Sequence, residues 1–402
     1  MKRFLHLIIL LASFLPAAMH AQQADPPFEV DSTLEVSLLT CSPGNEVYEL
    51  YGHTAIRVRS DKHHYDVVYN YGVFSFDQPN FVWRFVLGEC DYFLWPLHFD
   101  EFMTDYRRRG SEVVEQVLNL KVGEANRLLM ALAINFQPEN RTYRYDIFRS
   151  NCTTKVRDII EANLFGPLTY PARAPRTTIR QILHEYTQGH PWAEAGNDLL
   201  LGADVDTLIT FHEEMFAPIY LMNYADSAMF CFRNDYRPMV RERRIILEAN
   251  PELQRQEAEA HTGFPLSPAF CSWFLFALMA LLGVYEVRRG KATWWADATL
   301  MAIQGLIGVL LTFMMVFSSH PGVGANWQVI VLNPVALVAL PFVVKAARRG
   351  EYCKYHGVSA VVILLFILLM PFMRQHFSVI MLPLALCLLS RNVVHILLFR
   401  KH

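Results

Sequence analysis

The chain has 402 residues, 53% of them hydrophobic and 18% charged, with a formal net charge of -2. That length is too great for one simple domain, the apolar share is above a soluble average, and the near-neutral balance argues against a nucleic-acid partner. No phosphate loop, dinucleotide fingerprint or internal repeat is present.

Lys2 and Arg3 precede an apolar run over residues 4–15, and Pro16, Ala17, Ala18 and Ala21 supply small residues before Gln22. The run is roughly a dozen residues, short for a bilayer span and suited to a signal peptide. Residues 1–21 are therefore expected to be removed on export. No cysteine adjoins the cut, so the chain is not expected to be a lipoprotein itself.

Residues 22–264 read as an exported α+β domain. Strands are expected over 34–40, 53–59 and 65–71, with turns at Ser42-Pro43-Gly44-Asn45 and at Ser60-Asp61-Lys62-His63. In 53–59 the alternation puts His53, Ala55, Arg57 and Arg59 on one face. Residues 124–136 read as an amphipathic helix, 141–148 as a strand and 152–162 as a second helix. Asn151 is placed to cap that second helix.

Composition changes near Gly263. Five apolar runs follow, at 268–287, 300–318, 327–344, 358–373 and 378–399, each near bilayer length. They make residues 265–402 an all-α membrane domain. Basic residues cluster at Arg288-Arg289-Gly290-Lys291, at Lys345, Arg348, Arg349 and Lys354, and at Arg400-Lys401, whereas "HPGVGANW" (320–327) has none. Positive residues stay in the cytoplasm, so an odd number of spans leaves the N-terminal domain outside, in the periplasm of a two-membrane cell. Arg391 and His395 are expected to reach out to the aqueous edge from the last span. No carboxylate falls deep in a run, which argues against an ion-coupled transporter.

The chemistry-bearing pair is His53, on a strand, and Cys152, at a helix start. A helix N-terminus stabilises a thiolate through its dipole and free amides. The amides of Cys152 and Thr153 could also hold an oxyanion, with His53 as the base that takes and returns the thiol proton. A turn centred between Asp61 and Lys62 would set Asn70 opposite His53, free to orient the imidazole, with Asp66 as the substitute. Neither a metal nor a cofactor is called for: "HEYTQGH" (184–190) lacks zinc-peptidase spacing. Cys41, Cys90, Cys152 and Cys231 fit no disulfide framework, and if Cys152 stays free at most one pair can form. The aromatic tract of Phe81, Trp83, Phe85, Tyr92, Phe93 and Trp95 reads first as core, and second as an acyl-chain wall or interfacial belt. Arg141, Arg144 and Arg149 read as solvated. His320 and Trp327 read as interfacial anchors.

The segments "YGHTAIRV", "YNYGVFSFDQPNFVWRFVLGECDYFLW", "SNCTTKVRDII", "PWAEAGNDLLLGADVD" and "SSHPGVGANWQVIVLNP" resemble the Lnb-type lipoprotein N-acyltransferases. The resemblance covers most of the chain after the signal. Histidine before cysteine in chain order is similar to circularly permuted papain-like thiol enzymes, and carried over, the active pair falls on His53 and Cys152. What this implies is a membrane-anchored acyltransferase of the inner membrane. It would move an acyl chain from a phospholipid, through a Cys152 thioester, to the α-amino group of a diacylglyceryl-cysteine lipoprotein. The residues alone support only acyl or amide chemistry at a membrane. A cell-wall amidase or peptidase of the thiol type, and a non-catalytic scaffold that binds lipoprotein or lipid, are the competing readings.

Overall fold

The computed structural model describes residues 30–171, 173–232, 235–260 and 264–399. The expected signal peptide, 1–21, lies outside them. Seven antiparallel strands form the main sheet of the N-terminal domain, in the order β10-β5-β1-β2-β3-β4-β6. They are β1 (Leu34–Cys41), β2 (His53–Ser60), β3 (Tyr65–Val73), β4 (Asp91–His98), β5 (Val113–Leu118), β6 (Thr142–Arg144) and β10 (Val240–Leu247). The short strands β7 (Leu168–Thr169), β8 (Met229–Phe232) and β9 (Asp235–Pro238) make a second sheet.

Both faces of the main sheet are covered. Leu38 pairs with Ile56 and Leu39 with Ala55, so successive residues point to opposite faces. On one face Val36, Leu38, Ile56 and Val58 pack against Leu128 and Leu132 of a helix over Val122–Phe136, and against Val156 and Ile160 of the helix Cys152–Ala162. On the other, Leu39, Cys41, Ala55 and Val68 pack against Phe102, Met103 and Tyr106 of the helix Phe99–Arg109. Fully burying each such aliphatic side chain contributes about 1.5–3 kcal/mol. In chain order the helices of this domain are α1 (Phe81–Leu87), α2 (Phe99–Arg109), α3 (Val122–Phe136), α4 (Cys152–Ala162), α5 (Ile179–Tyr186), α6 (Pro191–Leu200), α7 (Phe211–Glu214), α8 (Pro218–Ser227) and α9 (Pro251–Ala260).

The strand expected over 141–148 is cut to Thr142–Arg144. Asp146 accepts hydrogen bonds from the amides of Phe148 and Arg149, both at 2.9 Å, and this side-chain turn ends the strand and leads into α4.

Among the described residues five helices are long and apolar enough to cross a membrane: Pro268–Arg289, Trp294–Phe317, Trp327–Arg349, Lys354–Phe372 and Met381–Phe399. Spans one and three end on Gly290 and Gly350, each left-handed, directly after Arg288-Arg289 and Arg348-Arg349. Glycine satisfies the open carbonyls there, and the cations complement the helix dipole.

Arg391 and His395 correct the sequence reading. Both are buried, and Arg391 is held by Asp297 at 2.6 Å and Glu286 at 2.7 Å, while His395 reaches Asp297 at 2.8 Å. The carboxylates of spans one and two lie within reach, so the long side chains turn inward to ion-pair partners rather than out to water.

The loop 318–328 is not a free interfacial segment. Gln328 donates to the Asp198 carbonyl at 2.7 Å and Asn326 to the Leu199 carbonyl at 2.8 Å, so side chains from the membrane domain satisfy the open C-terminal carbonyls of α6. Gly202 donates to Gly322 at 2.7 Å and Ala203 to Ala325 at 2.9 Å. A Cβ on Gly202 would lie 2.5 Å from the Ala325 carbonyl, so only glycine permits this approach.

Candidate active site

α4 starts where the sequence reading puts it. Asn151 accepts from the amides of Thr153 (2.9 Å) and Thr154 (2.8 Å), and Thr154 accepts from the Asn151 amide at 2.8 Å, a reciprocal cap. Asn151 is itself fixed, donating to the carbonyls of Ile147 (2.8 Å) and Phe216 (2.9 Å). These bonds set Cys152 as the first helical residue. They also correct one expectation: the Thr153 amide is spent on Asn151, so of the two amides considered for an oxyanion only that of Cys152 is left.

His53 opens β2, at the end of the sheet, beside Cys41. Its Nε2 lies 2.5 Å from Asn70 Oδ1. The hairpin register differs from the turn arithmetic. Ile56 pairs with Tyr69 and Ser60 with Tyr65, so the turn is centred one residue later and each partner moves by two. A two-residue slip preserves the face, so His53 and Asn70 still meet, as diagonal rather than direct neighbours. Asp66 is removed from contention, because Arg57 holds it through Nε (2.7 Å) and Nη2 (2.5 Å).

Cys152 rides on a helix packed against one face of the sheet, whereas His53 belongs to the other. They meet round the sheet's end because Gly72 has no side chain there. A Cβ on Gly72 would lie 3.3 Å from Cys152 Cβ, and its φ of 90° belongs to the left-handed region that favours glycine. The pairing of β3 with β4 is irregular at this point, between Asn70 and Val73. The thiol and the imidazole lie close enough for each to shift the other's proton affinity, and the Thr54 amide also acts on the sulfur. With Nε2 committed to Asn70, Nδ1 is the ring nitrogen open to the thiol. Thr153 Oγ1 lies 3.8 Å from Sγ and 3.2 Å from Thr54 Oγ1, tying helix to strand.

The electrostatics follow from this geometry. Burial alone would raise the Cys152 thiol, but the charge and hydrogen bond of His53, with the Thr54 amide and Thr153, bring it down from 9.0 to about 7. His53 moves reciprocally. Burial would lower it, yet the Cys152 charge and the bonds to Cys152 and Asn70 raise it above its ordinary value. Cys41, although it sits beside His53 on the neighbouring strand, is pushed up by burial to about 12. The cysteines stand as free thiols, with Cys152 half-buried. One group among the described residues, His184, Asp198 and His376, brings metal-type ligand atoms within 4.8 Å of one another. Asp198 is already the ion-pair partner of Arg180 at 2.8 Å and of His184 at 2.9 Å, so its charge is met within the protein.

Of the other residues singled out, Arg144 pairs with Asp91 at 2.9 Å and Arg141 lies over the Trp95 ring. The sequence reading misses Gly72 and the Thr54–Thr153 tie. A glycine in the middle of an apolar strand pattern is the signal that marks a bulge or a close backbone approach.

Comparison with curated proteins and with solved structures gives no match. Family models match both parts of the chain: the Lnb N-terminal periplasmic domain over residues 29–185 and the Lnb transmembrane domain over 259–402. With the five apolar helices, the chain is a multi-pass inner-membrane protein whose N-terminal domain is periplasmic. It belongs to the Lnb family, whose domains point to lipoprotein processing at the membrane.

Proposed function

We propose that this protein is a thiol-dependent lipoprotein N-acyltransferase, with Cys152 as nucleophile, His53 as base and acid, and Asn70 as the residue that positions the imidazole. The observation that carries the reading is Cys152 at a helix start beside His53, whose Nε2 lies 2.5 Å from Asn70 Oδ1, in a domain joined by hydrogen bonds to a membrane-spanning unit. A thiol brought down to about 7 is partly thiolate at neutral pH.

In the first half-reaction the thiolate attacks the ester carbonyl of a phospholipid. The tetrahedral oxyanion faces the Cys152 amide at the positive end of α4. As it collapses the carbon–oxygen bond breaks, His53 gives its proton to the departing lyso-lipid alkoxide, and the acyl group stays on sulfur as a thioester. In the second, the free α-amino group of a diacylglyceryl-cysteine lipoprotein attacks the thioester carbonyl. His53 takes a proton from that nitrogen, the carbon–sulfur bond breaks, and the amide leaves with the thiolate restored. The donor ester already holds the activated acyl group, so no nucleotide is needed. Both substrates are membrane-anchored, and tethering the catalytic domain to the same membrane raises their effective concentration.

The test is mass spectrometry of a reporter lipoprotein's N-terminus. Cys152→Ser at normal abundance is expected to leave the reporter diacylated, because a serine hydroxyl is far harder to ionise than a thiol. Undiminished triacylation by that variant would eliminate the covalent route.

A further inference from the structure

The helix α1, read from sequence as core, has no buried residue. Val82 is 75% exposed, Trp83 55% and Phe85 50%, and nearby Phe76 is 65% exposed. Its one charged residue, Arg84, turns away to Asp91 at 2.5 Å and to the Glu89 carbonyl at 2.8 Å. What lies next to the exposed side identifies its partner. Trp83 packs on Phe313 of span two, ring centroids 5.2 Å apart, close to that span's outer end at Phe317. Val316 and Phe317 are each 65% exposed on the same span, so the apolar surface of α1 continues the lipid-facing surface of a transmembrane helix. The membrane domain also grips the helix end. Ser319 donates to the carbonyls of Leu87 and Gly88 at 3.0 and 2.9 Å, and His320 Nε2 donates to the Phe85 carbonyl at 2.6 Å.

From α1 a series of ring contacts runs inward. Phe85 touches Phe81, with centroids 6.2 Å apart, Phe81 stacks on Phe74 at 6.0 Å, Phe74 on Tyr92 at 4.9 Å, and Tyr92 on Tyr145 at 4.0 Å. Phe74 follows two residues after Gly72, the glycine against which Cys152 lies.

We propose that α1 lies in the outer leaflet of the membrane and that this aromatic series receives the donor's acyl chain and leads its ester toward Cys152. The first half stands on geometry alone. The second rests on the acyltransferase reading above. A short helix with apolar and aromatic side chains on its open side and a charge turned inward is suited to lie in the plane of a bilayer interface, where tryptophan is favoured. Anchored there by span two, it holds the mouth of the site at the depth of the acyl chains. A chain entering between ring faces stays out of water throughout, which a route through the polar loops would not allow.

The test uses the full chain in proteoliposomes. Trp83 emission is obtained as the difference between wild type and Trp83→Phe. Expected is quenching by phospholipids brominated at shallow acyl positions and little quenching by aqueous iodide; the reverse pattern overturns the membrane placement, whether or not the protein transfers acyl groups. In the second arm, Val82→Glu, which touches no core residue, is expected to slow transfer from vesicle phospholipid at least tenfold. Alkylation of Cys152 by iodoacetamide should be unchanged, and transfer from a water-soluble short-chain phospholipid should be restored. Equal loss with both donors, or no loss with vesicles, overturns the acyl route. A wild-type protein that transfers nothing from either donor defeats the acyltransferase reading and the acyl route together, and the quenching result still decides where α1 lies.

Discussion

Replacing His53 by alanine removes the group that holds the Cys152 thiol low, and the consequence can be worked through. A drop from 9.0 to about 7 is about 3 kcal/mol of preference for the thiolate. At pH 7 about half of the wild-type thiol is then ionised. In His53→Ala the burial remains without the compensating charge, so the thiol returns to 9 or above and about 1% is ionised. The loss in thiolate is about fiftyfold. A more basic thiolate is also intrinsically more reactive, by about six- to tenfold over this span. Alkylation of Cys152 by iodoacetamide, followed by mass spectrometry of its peptide, should therefore slow about five- to eightfold at pH 7. Near pH 10, where both thiols are ionised, the variant should become the faster of the two. This crossing is the signature. Parallel wild-type and variant profiles, or a wild-type midpoint near 9, would refute the pairing of His53 with Cys152.

The same pair sets the pH dependence of transfer: thiolate is gained as pH rises through about 7, and imidazolium is lost as pH rises through the elevated His53 value, so kcat/KM should climb and then fall, with midpoints belonging to the pair. Asn70→Ala should lower kcat less than His53→Ala does, because the neighbouring Cys152 charge still acts on the imidazole, and the Cys152 alkylation midpoint should move only part of the way up. Gly72→Ala forces a Cβ toward Cys152 at a φ of 90°, which should cost about 1–3 kcal/mol and lower activity beyond what a melting curve accounts for. Arg391→Met leaves Glu286 and Asp297 without their cation in the membrane domain; it should destabilise that domain by about 3–5 kcal/mol in a protease-protection assay, leaving the Cys152 alkylation profile unchanged.

What the sequence determined was whatever depends on neighbours along the chain. Span count and orientation follow from runs of apolar residues and from Arg and Lys beside them, because a bilayer tests each segment for length and charge. The start of α4 at Cys152 was legible because a cap is a local hydrogen-bond exchange between Asn151 and residues two and three ahead. Asn70 was reached by parity, which survives a two-residue error in the turn. Interactions between distant segments were decided only by the tertiary structure. The Asp66 alternative closed when Arg57 was found to hold that carboxylate. Arg391 turned inward because carboxylates about a hundred residues away in sequence lay beside it, and α1 proved exposed because what it faces belongs to span two. Gly72 could be seen to matter only once a helix on one face of the sheet and a histidine on the other met at its end. Periodicity reports which face a residue takes; which two faces come to share an edge depends on how the whole chain packs.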